Sequence, residues 1–358
     1  MDISHPSVET RLAAALGDGG SRIPVLLGPC GSGRSQALHR LGDSLPSGTA
    51  QYVDVERVIS TPERFLERLI RDSPFSWRPP DGMPDGPREA YRQALSYFAH
   101  ARTASGGPAT FLLDEAFEIR LFEHFPGLSG AAAETLAEFA SSPNRFVLAT
   151  KYEARALRLL RGASSRYLVV HVPPVTAASV AADLLRVRGA RSDWAEDTAR
   201  VVVALADGRA AYVAALVRRV SDAPDDARDP ISAFAHLLGP GGGIAARCRY
   251  SYEVRLHRAR GYGALKAVLE ILADDEPLTL TEVSLRLRRS PGSTRDYLGW
   301  LEDVDLVRVQ RKRFTVADPV LRVWLRLRTA GDAADERSAD IVRRYALARV
   351  SAGLTAEG

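Results

Sequence analysis

Lysine is nearly absent from this chain of 358 residues: Lys151, Lys266 and Lys312 stand against 45 arginines. A coding bias toward arginine accounts for that usage, yet the chemistry differs wherever one cation replaces the other. Cysteine is scarcer still. Cys30 and Cys248 cannot build a disulfide framework, and no Cys/His spacing suggests zinc. The seven histidines are scattered and suggest neither a triad nor a metal cluster. No stretch approaches the uninterrupted apolar length that spans a bilayer, so no membrane partner is expected. Met1–Pro6 has neither a basic start nor an apolar run, so it does not read as a secretory signal and a cytoplasmic location is expected. A net charge of +4 is too small to announce nucleic-acid binding by itself.

What is present is 46% apolar and 26% charged, the balance of an ordinary globular protein long enough for two or three domains. The organising stretch begins with the apolar run Ile23–Leu27, which reads as a short buried strand. A glycine-rich turn and the opening of a helix follow it. The spacing from Gly28 to Gly33-Arg34-Ser35 is that of a P-loop, G-x4-G-K-[S/T], with arginine where lysine is expected. Such glycines let backbone N–H groups point inward at a phosphate, and the helix N-terminus adds partial positive charge. Gly28, Pro29, Cys30, Gly31, Ser32, Gly33, Arg34, Ser35 and Gln36 are therefore the candidate nucleotide-binding set, with Ser35 offering its hydroxyl to Mg2+. A plain strand–helix connector is the other reading of the same turn.

Downstream, strands alternate with helices, which predicts a parallel α/β sheet with ligands at the strands' carboxyl ends. A helix over 7–16 precedes the P-loop strand, and residues 50–55 read as the second strand. Thr61 caps a helix to about Arg71 with Pro62 in its first turn, and a five-proline loop over 74–87 leads to a helix over 88–102. Ala109–Glu115 is an apolar strand ending in two carboxylates, the Walker B pattern. There Asp114 would orient Mg2+ and Glu115 would polarise the attacking water. A buried strand that happens to end in surface acids is the alternative. After an alanine-rich helix (130–141), Arg145–Thr150 is a fourth strand, and Thr150 stands where a γ-phosphate sensor would sit. A short helix (153–161) and a fifth strand (166–175) complete the core.

Helical patterns follow at 177–187, 194–206 and 210–220, then a solvated connection over 221–230 and a hinge at Pro240–Gly243. Helices at 265–272, 280–287 and 290–302 and strands at 306–309 and 313–316 describe a winged helix-turn-helix. Residues 244–328 hold 17 Arg+Lys against 11 Asp+Glu, so this unit carries the positive charge. Residues 329–358 read as a polar tail with one helix, 336–350.

This order of parts resembles the AAA+/STAND branch of P-loop ATPases, most nearly the archaeal-type ATPases that end in a winged helix. The likeness covers roughly residues 8–328. Val172-Pro173-Pro174-Val175-Thr176 is similar to the family's strand-to-lid junction. Asp207-Gly208-Arg209-Ala210-Ala211-Tyr212-Val213 resembles its G-G-x-P-x-Y-L lid motif without the first glycine and the proline. Phe314–Leu325 resembles its ending Y-x-I-x-D-P-x-L-x-x-W. The resemblance implies an α/β P-loop NTPase core with a five-stranded parallel sheet (1–175), an all-α lid (176–240) and a C-terminal winged helix-turn-helix (241–328). It also implies ATP or ADP with Mg2+ between core and lid, a nucleotide-controlled change of conformation or assembly, and a winged helix that contacts DNA.

Arg34 departs from the pattern at its chemically central position, so ATPase activity is expected to be weak. Arg166 stands where many AAA+ proteins carry an arginine finger, or is one more arginine on a strand edge. Arg209 would sense phosphate in cis, or is exposed. Lys151, directly after Thr150, would supply the missing compact charge, or opens a surface loop. Cys30 fits the loop as a small residue, or blocks the site when oxidised. On the third helix of the winged unit, Leu298 and Leu301 are spaced for the core, leaving Ser293 and Arg295 outward beside Asp296. Arg311, Lys312 and Arg313 at the wing tip suit backbone phosphate contacts. Three functions follow: a nucleotide switch acting on DNA, a nucleotide-binding scaffold whose winged helix docks protein, and an oligomeric ATPase subunit of a mobile-element or defence system.

Overall fold

The computed structural model describes residues 6–17, 22–79, 82, 84–188, 192–224, 228–259, 262–329 and 334–356. The expectations for Met1–His5 and for the middle of the 221–230 connection lie outside the described residues. By their contacts the residues divide into two units. Among the described residues, one comprises Pro6–Gly28 together with Gly33–Pro173; the other comprises Pro29–Ser32 and those from Pro174 onward.

The first unit is built on five parallel strands: β1 (Ile23–Leu27), β2 (Ala50–Asp54), β3 (Thr110–Asp114), β4 (Arg145–Thr150) and β5 (Tyr167–His171). Their order is β2-β3-β4-β1-β5. The helices are α1 (Pro6–Gly17), α2 (Arg34–Ser44), α3 (Val55–Val58), α4 (Pro62–Arg71), α5 (Pro87–His100), α6 (Ala131–Ser141) and α7 (Glu153–Leu160), with a 3-10 helix at Ala116–His124. Strands covered on both faces read as continuous apolar runs, and alternate residues serve opposite faces. Phe111, Leu113, Phe146 and Leu148 join an aromatic-rich core with Phe65, Phe98, Phe122 and Phe139. Leu26, Leu112, Val147 and Ala149 face the other way, onto Val8, Leu12 and Leu38. Thr61 caps α4 as its sequence predicts, its hydroxyl accepting from the Arg64 N–H.

The second unit continues with α8 (Ala177–Arg188), α9 (Ser192–Leu205), α10 (Ala210–Asp222), α11 (Pro230–Leu238) and α12 (Gly243–Arg258). Next come α13 (Tyr262–Asp274), β6 (Leu278–Thr279), α14 (Leu280–Leu287), α15 (Pro291–Asp303), β7 (Val307–Gln310) and β8 (Arg313–Val316). The last two helices are α16 (Pro319–Thr329) and α17 (Ala334–Ala356). The strands form an antiparallel sheet ordered β6-β8-β7. A capping box between Thr279 and Glu282 starts α14, and the Ser290 hydroxyl starts α15. Pro240–Gly243, expected as a hinge, is a turn between α11 and α12 within this unit. The tail expected to be polar buries Ile341, Val342 and Ala346 on α17. Tyr345 of α17 donates to the Leu205 carbonyl and stacks on Phe234.

Candidate functional site

Sheet topology assembles the site. β4 lies between β1 and β3, with Leu27 of β1 opposite Thr150 and Leu113 of β3 opposite Leu148. The carboxyl ends of these strands therefore bring Gly28, Thr150 and the Asp114-Glu115 pair to one edge. Glu115 takes a left-handed backbone conformation, φ 50°, which a non-glycine residue adopts only when its surroundings hold it there. Those surroundings are visible. Its Oε2 accepts from the Thr150 hydroxyl and the Lys151 N–H, both at 3.1 Å, and its Oε1 takes Arg34 Nη2 at 3.0 Å. Burial pushes the Glu115 pKa up, but Arg34, Lys151 and these hydrogen bonds more than offset that and hold it below the ordinary carboxylate value.

Arg34 is only 6% exposed. Besides the carboxylate, its guanidinium donates to the carbonyl of Gly28, so the side chain folds back over the start of the loop. Asp114 is buried as well: Tyr52 donates its hydroxyl to Oδ2 at 3.1 Å, and the Glu115 N–H donates to Oδ1. Burial, then the Asp114 charge, raise the Tyr52 pKa far above its usual value, which keeps the phenol a donor. Lys151 is not the surface lysine that a loop-opening residue suggests. β4 ends at Thr150 and the chain turns, which frees residues 150 and 151 from strand alternation and lets both meet Glu115. Its ammonium is 2.6 Å from Glu56 and 3.7 Å from Glu115.

In the second unit, Gly31 has φ +80°, and a Cβ there would lie 3.1 Å from the Cβ of Ala211, whose N–H donates to the Gly31 carbonyl. A side chain at this position would be strained by the backbone and tight against Ala211. Arg209 is buried, not exposed: it ion-pairs with Asp318 at 3.1 Å and donates to the carbonyls of Cys30 and Ala317. Burial alone would lower its pKa; Asp318, Tyr212 and Asp207 raise it instead. Asp318 uses one oxygen on the Val320 and Leu321 N–H groups that open α16, and the other on Arg209 and the Tyr212 hydroxyl. Its place in the cluster was missed from sequence, although the Asp-Pro pair that marks it lies in the family-like ending. Gly208 (φ +64°) packs against Pro174, where a Cβ would approach to 2.5 Å, so the lid motif and the strand-to-lid junction meet there.

Arg166 is not brought to this edge. It precedes β5, at the end of the sheet where Tyr167 pairs with Ile23, and donates to the Ala140 carbonyl of α6. Ser293 and Arg295 lie outward on α15 as expected, while Leu298 and Leu301 are buried. Arg311 and Lys312 both have positive φ at the turn between β7 and β8. Arg313 follows that turn directly, paired with Gln310, and its side chain donates to the Pro277 carbonyl.

No helix among the described residues is long and apolar enough to cross a membrane. No protein-family model matches the sequence, and no curated protein matches it. Among solved structures it is similar to a Walker-type ATPase of Pyrococcus abyssi (TM-score 0.64, 16% identity, covering 90% of this chain and 95% of that one). The Aeropyrum pernix Orc1 protein in complex with DNA aligns with TM-score 0.47 and 16% identity over 91% and 93%. A mutant RuvB of Thermotoga maritima aligns with TM-score 0.45 and 14% identity over 88% and 92%. The fold of this chain is that of a Walker-type P-loop ATPase.

Proposed function

We propose that the chain is a nucleotide-dependent switch that binds ATP with magnesium along Gly28–Gln36 and thereby repositions its C-terminal winged-helix unit on DNA. One observation carries the reading. Arg209 joins the carbonyl of Cys30, inside the phosphate loop, to Asp318 and Ala317 at the start of α16, all within one unit. A loop that reshapes around phosphates would change what Arg209 can hold.

The donors suit magnesium. The Ser35 hydroxyl and the Asp114 carboxylate are hard oxygen ligands, and among the described residues no group of three or more His, Cys, Asp or Glu could cage a metal alone. That matches an ion that keeps most of its ligands from phosphate and water. Bound there by Ser35 and Asp114, it would neutralise phosphate charge. Glu115 would orient the attacking water. Both its oxygens are engaged and its pKa is depressed, so it is a weak base and turnover is slow.

Calorimetry tests the core of this reading: ATP–Mg2+ should bind the folded protein, and no binding of ATP or ADP would end it. For DNA, neutralising Arg311 and Lys312 should make the slope of log K against log salt shallower by about 0.9 per lost contact. The Asp296 carboxylate beside Arg295 and the Tyr297–Trp300 ring pair at 5.7 Å favour a second reading, in which α15 docks protein. Absence of DNA binding at low salt, with and without ATP, would select it.

A further inference from the structure

Two carboxylates and two cations meet at the edge of the sheet. Glu56, on α3, holds the Lys151 ammonium at 2.6 Å; Lys151 lies 3.7 Å from the same Glu115 oxygen that Arg34 grips at 3.0 Å. The Lys151 side chain is 11% exposed and its ammonium lies 5.0 Å from the centre of the Tyr152 ring, so this is a built position. We propose that Lys151 is a second phosphate-binding cation, held in reserve by Glu56, which gives the site its preference for triphosphate over diphosphate.

The inference rests on the ATP reading above, and charge makes the case. Arg34, Lys151, Glu56 and Glu115 sum to zero, so beyond the charge that Mg2+ would answer, this set meets a γ-phosphate beside Glu115 by a cation leaving a carboxylate for it. Arg34 is the less mobile of the two, since its planar fork already spans the Gly28 carbonyl and Glu115. Lys151 carries a compact charge on a flexible stem, with three donors that rotate. Its contact with Glu115 exceeds hydrogen-bond length, so only Glu56 competes strongly for it. The ammonium missing from the P-loop is thus supplied from the end of β4.

Opposite substitutions make the test. Binding of ATP–Mg2+ and ADP–Mg2+ would be measured by calorimetry on wild type, Lys151→Met, Lys151→Arg and Glu56→Gln, each checked for folding by circular dichroism. Lys151→Met should weaken ATP about tenfold or more and ADP less than about twofold, the scale of a lost charge-assisted hydrogen bond. Glu56→Gln should tighten ATP selectively, because the lysine loses its competitor, and Lys151→Arg should keep part of the ATP preference. Equal loss for both nucleotides, or no change in either, would overturn the proposal, because a merely structural lysine does not distinguish them. Should Lys151→Met not fold, the sign of the Glu56→Gln effect decides alone. A wild type that binds neither nucleotide overturns the ATP reading itself, a pattern distinct from nucleotide binding without Lys151 dependence.

Discussion

Two ionic clusters, one in each unit, are centred on opposite charges: a carboxylate in the first and a guanidinium in the second. At the edge of the parallel sheet one carboxylate, Glu115, has two cations, Arg34 at 3.0 Å and Lys151 at 3.7 Å. In the helical unit one cation, Arg209, lies between two carboxylates, Asp318 at 3.1 Å and Asp207 at 3.8 Å, and Asp207 pairs in turn with Arg349. The difference teaches what each cluster can exchange. A central carboxylate with two cations in reach can pass one to an incoming phosphate and remain paired with the other. A central arginine already held between carboxylates gains nothing from an anion, and Asp318 is fixed further by the N–H groups of α16. The first cluster is suited to binding, the second to holding its unit together, with the Cys30 carbonyl of the loop tied into it.

The largest expected effect breaks the second cluster. Asp318→Ala removes the main counter-ion of Arg209, itself 5% exposed, and the cap of α16. Loss of one member of a buried pair costs about 3–5 kcal/mol, so denaturant unfolding should show a large drop that ATP does not repair. Glu115→Ala should cost less, about 1–3 kcal/mol, because Lys151 keeps Glu56 and Arg34 keeps the Gly28 carbonyl. Saturating ATP–Mg2+ should restore much of it, since a ligand at a hundred times its Kd adds about 2.7 kcal/mol. An unfolding curve for Glu115→Ala that ATP leaves unmoved would remove the contrast between the clusters.

Acid provides the next separation. The folded-state pKa of Glu115 lies below its unfolded value. Its contribution is therefore present above the unfolded value, about 4.3, and is lost as pH falls through the folded one. The stability gap between wild type and Glu115→Gln should then narrow below about pH 4, as followed by unfolding at stepped pH. The smallest effects come from paired hydroxyl deletions. Thr150→Val and Tyr212→Phe each remove one hydrogen bond to the central carboxylate, worth about 1 kcal/mol. Only Thr150→Val should change ATP turnover. Equal loss of turnover in both would show that the two clusters act as one.

Much of the first cluster was legible in the sequence because its residues are tied to chain signals. Glycine spacing marks Gly28–Ser35, and an apolar run that stops in acids marks Asp114 and Glu115. Thr150 follows from the same logic, as the polar end of a buried strand. Lys151 was not settled, since strict alternation sends residues 150 and 151 to opposite faces; only the turn after β4 unites them. Arg209 and Arg313 show the converse. Each has a local position that suits phosphate, and each is occupied by a partner far along the chain, Asp318 in one case and the Pro277 carbonyl in the other.

The sequence by itself determined the local order: a strand, a phosphate-type loop and a helix, then the alternation that makes a parallel sheet, then helices and a hairpin. These follow from periodicity, glycine conformation and capping, which act over a few residues and can be read in a line. Only the tertiary structure decided that β4 lies between β1 and β3 and that Glu56 reaches Lys151. It alone assigned Arg209 to Asp318, more than a hundred residues away. Ion pairing depends on which charges are buried together, and burial belongs to the packed chain, so forty-five arginines offer many candidate partners until the fold selects one for each.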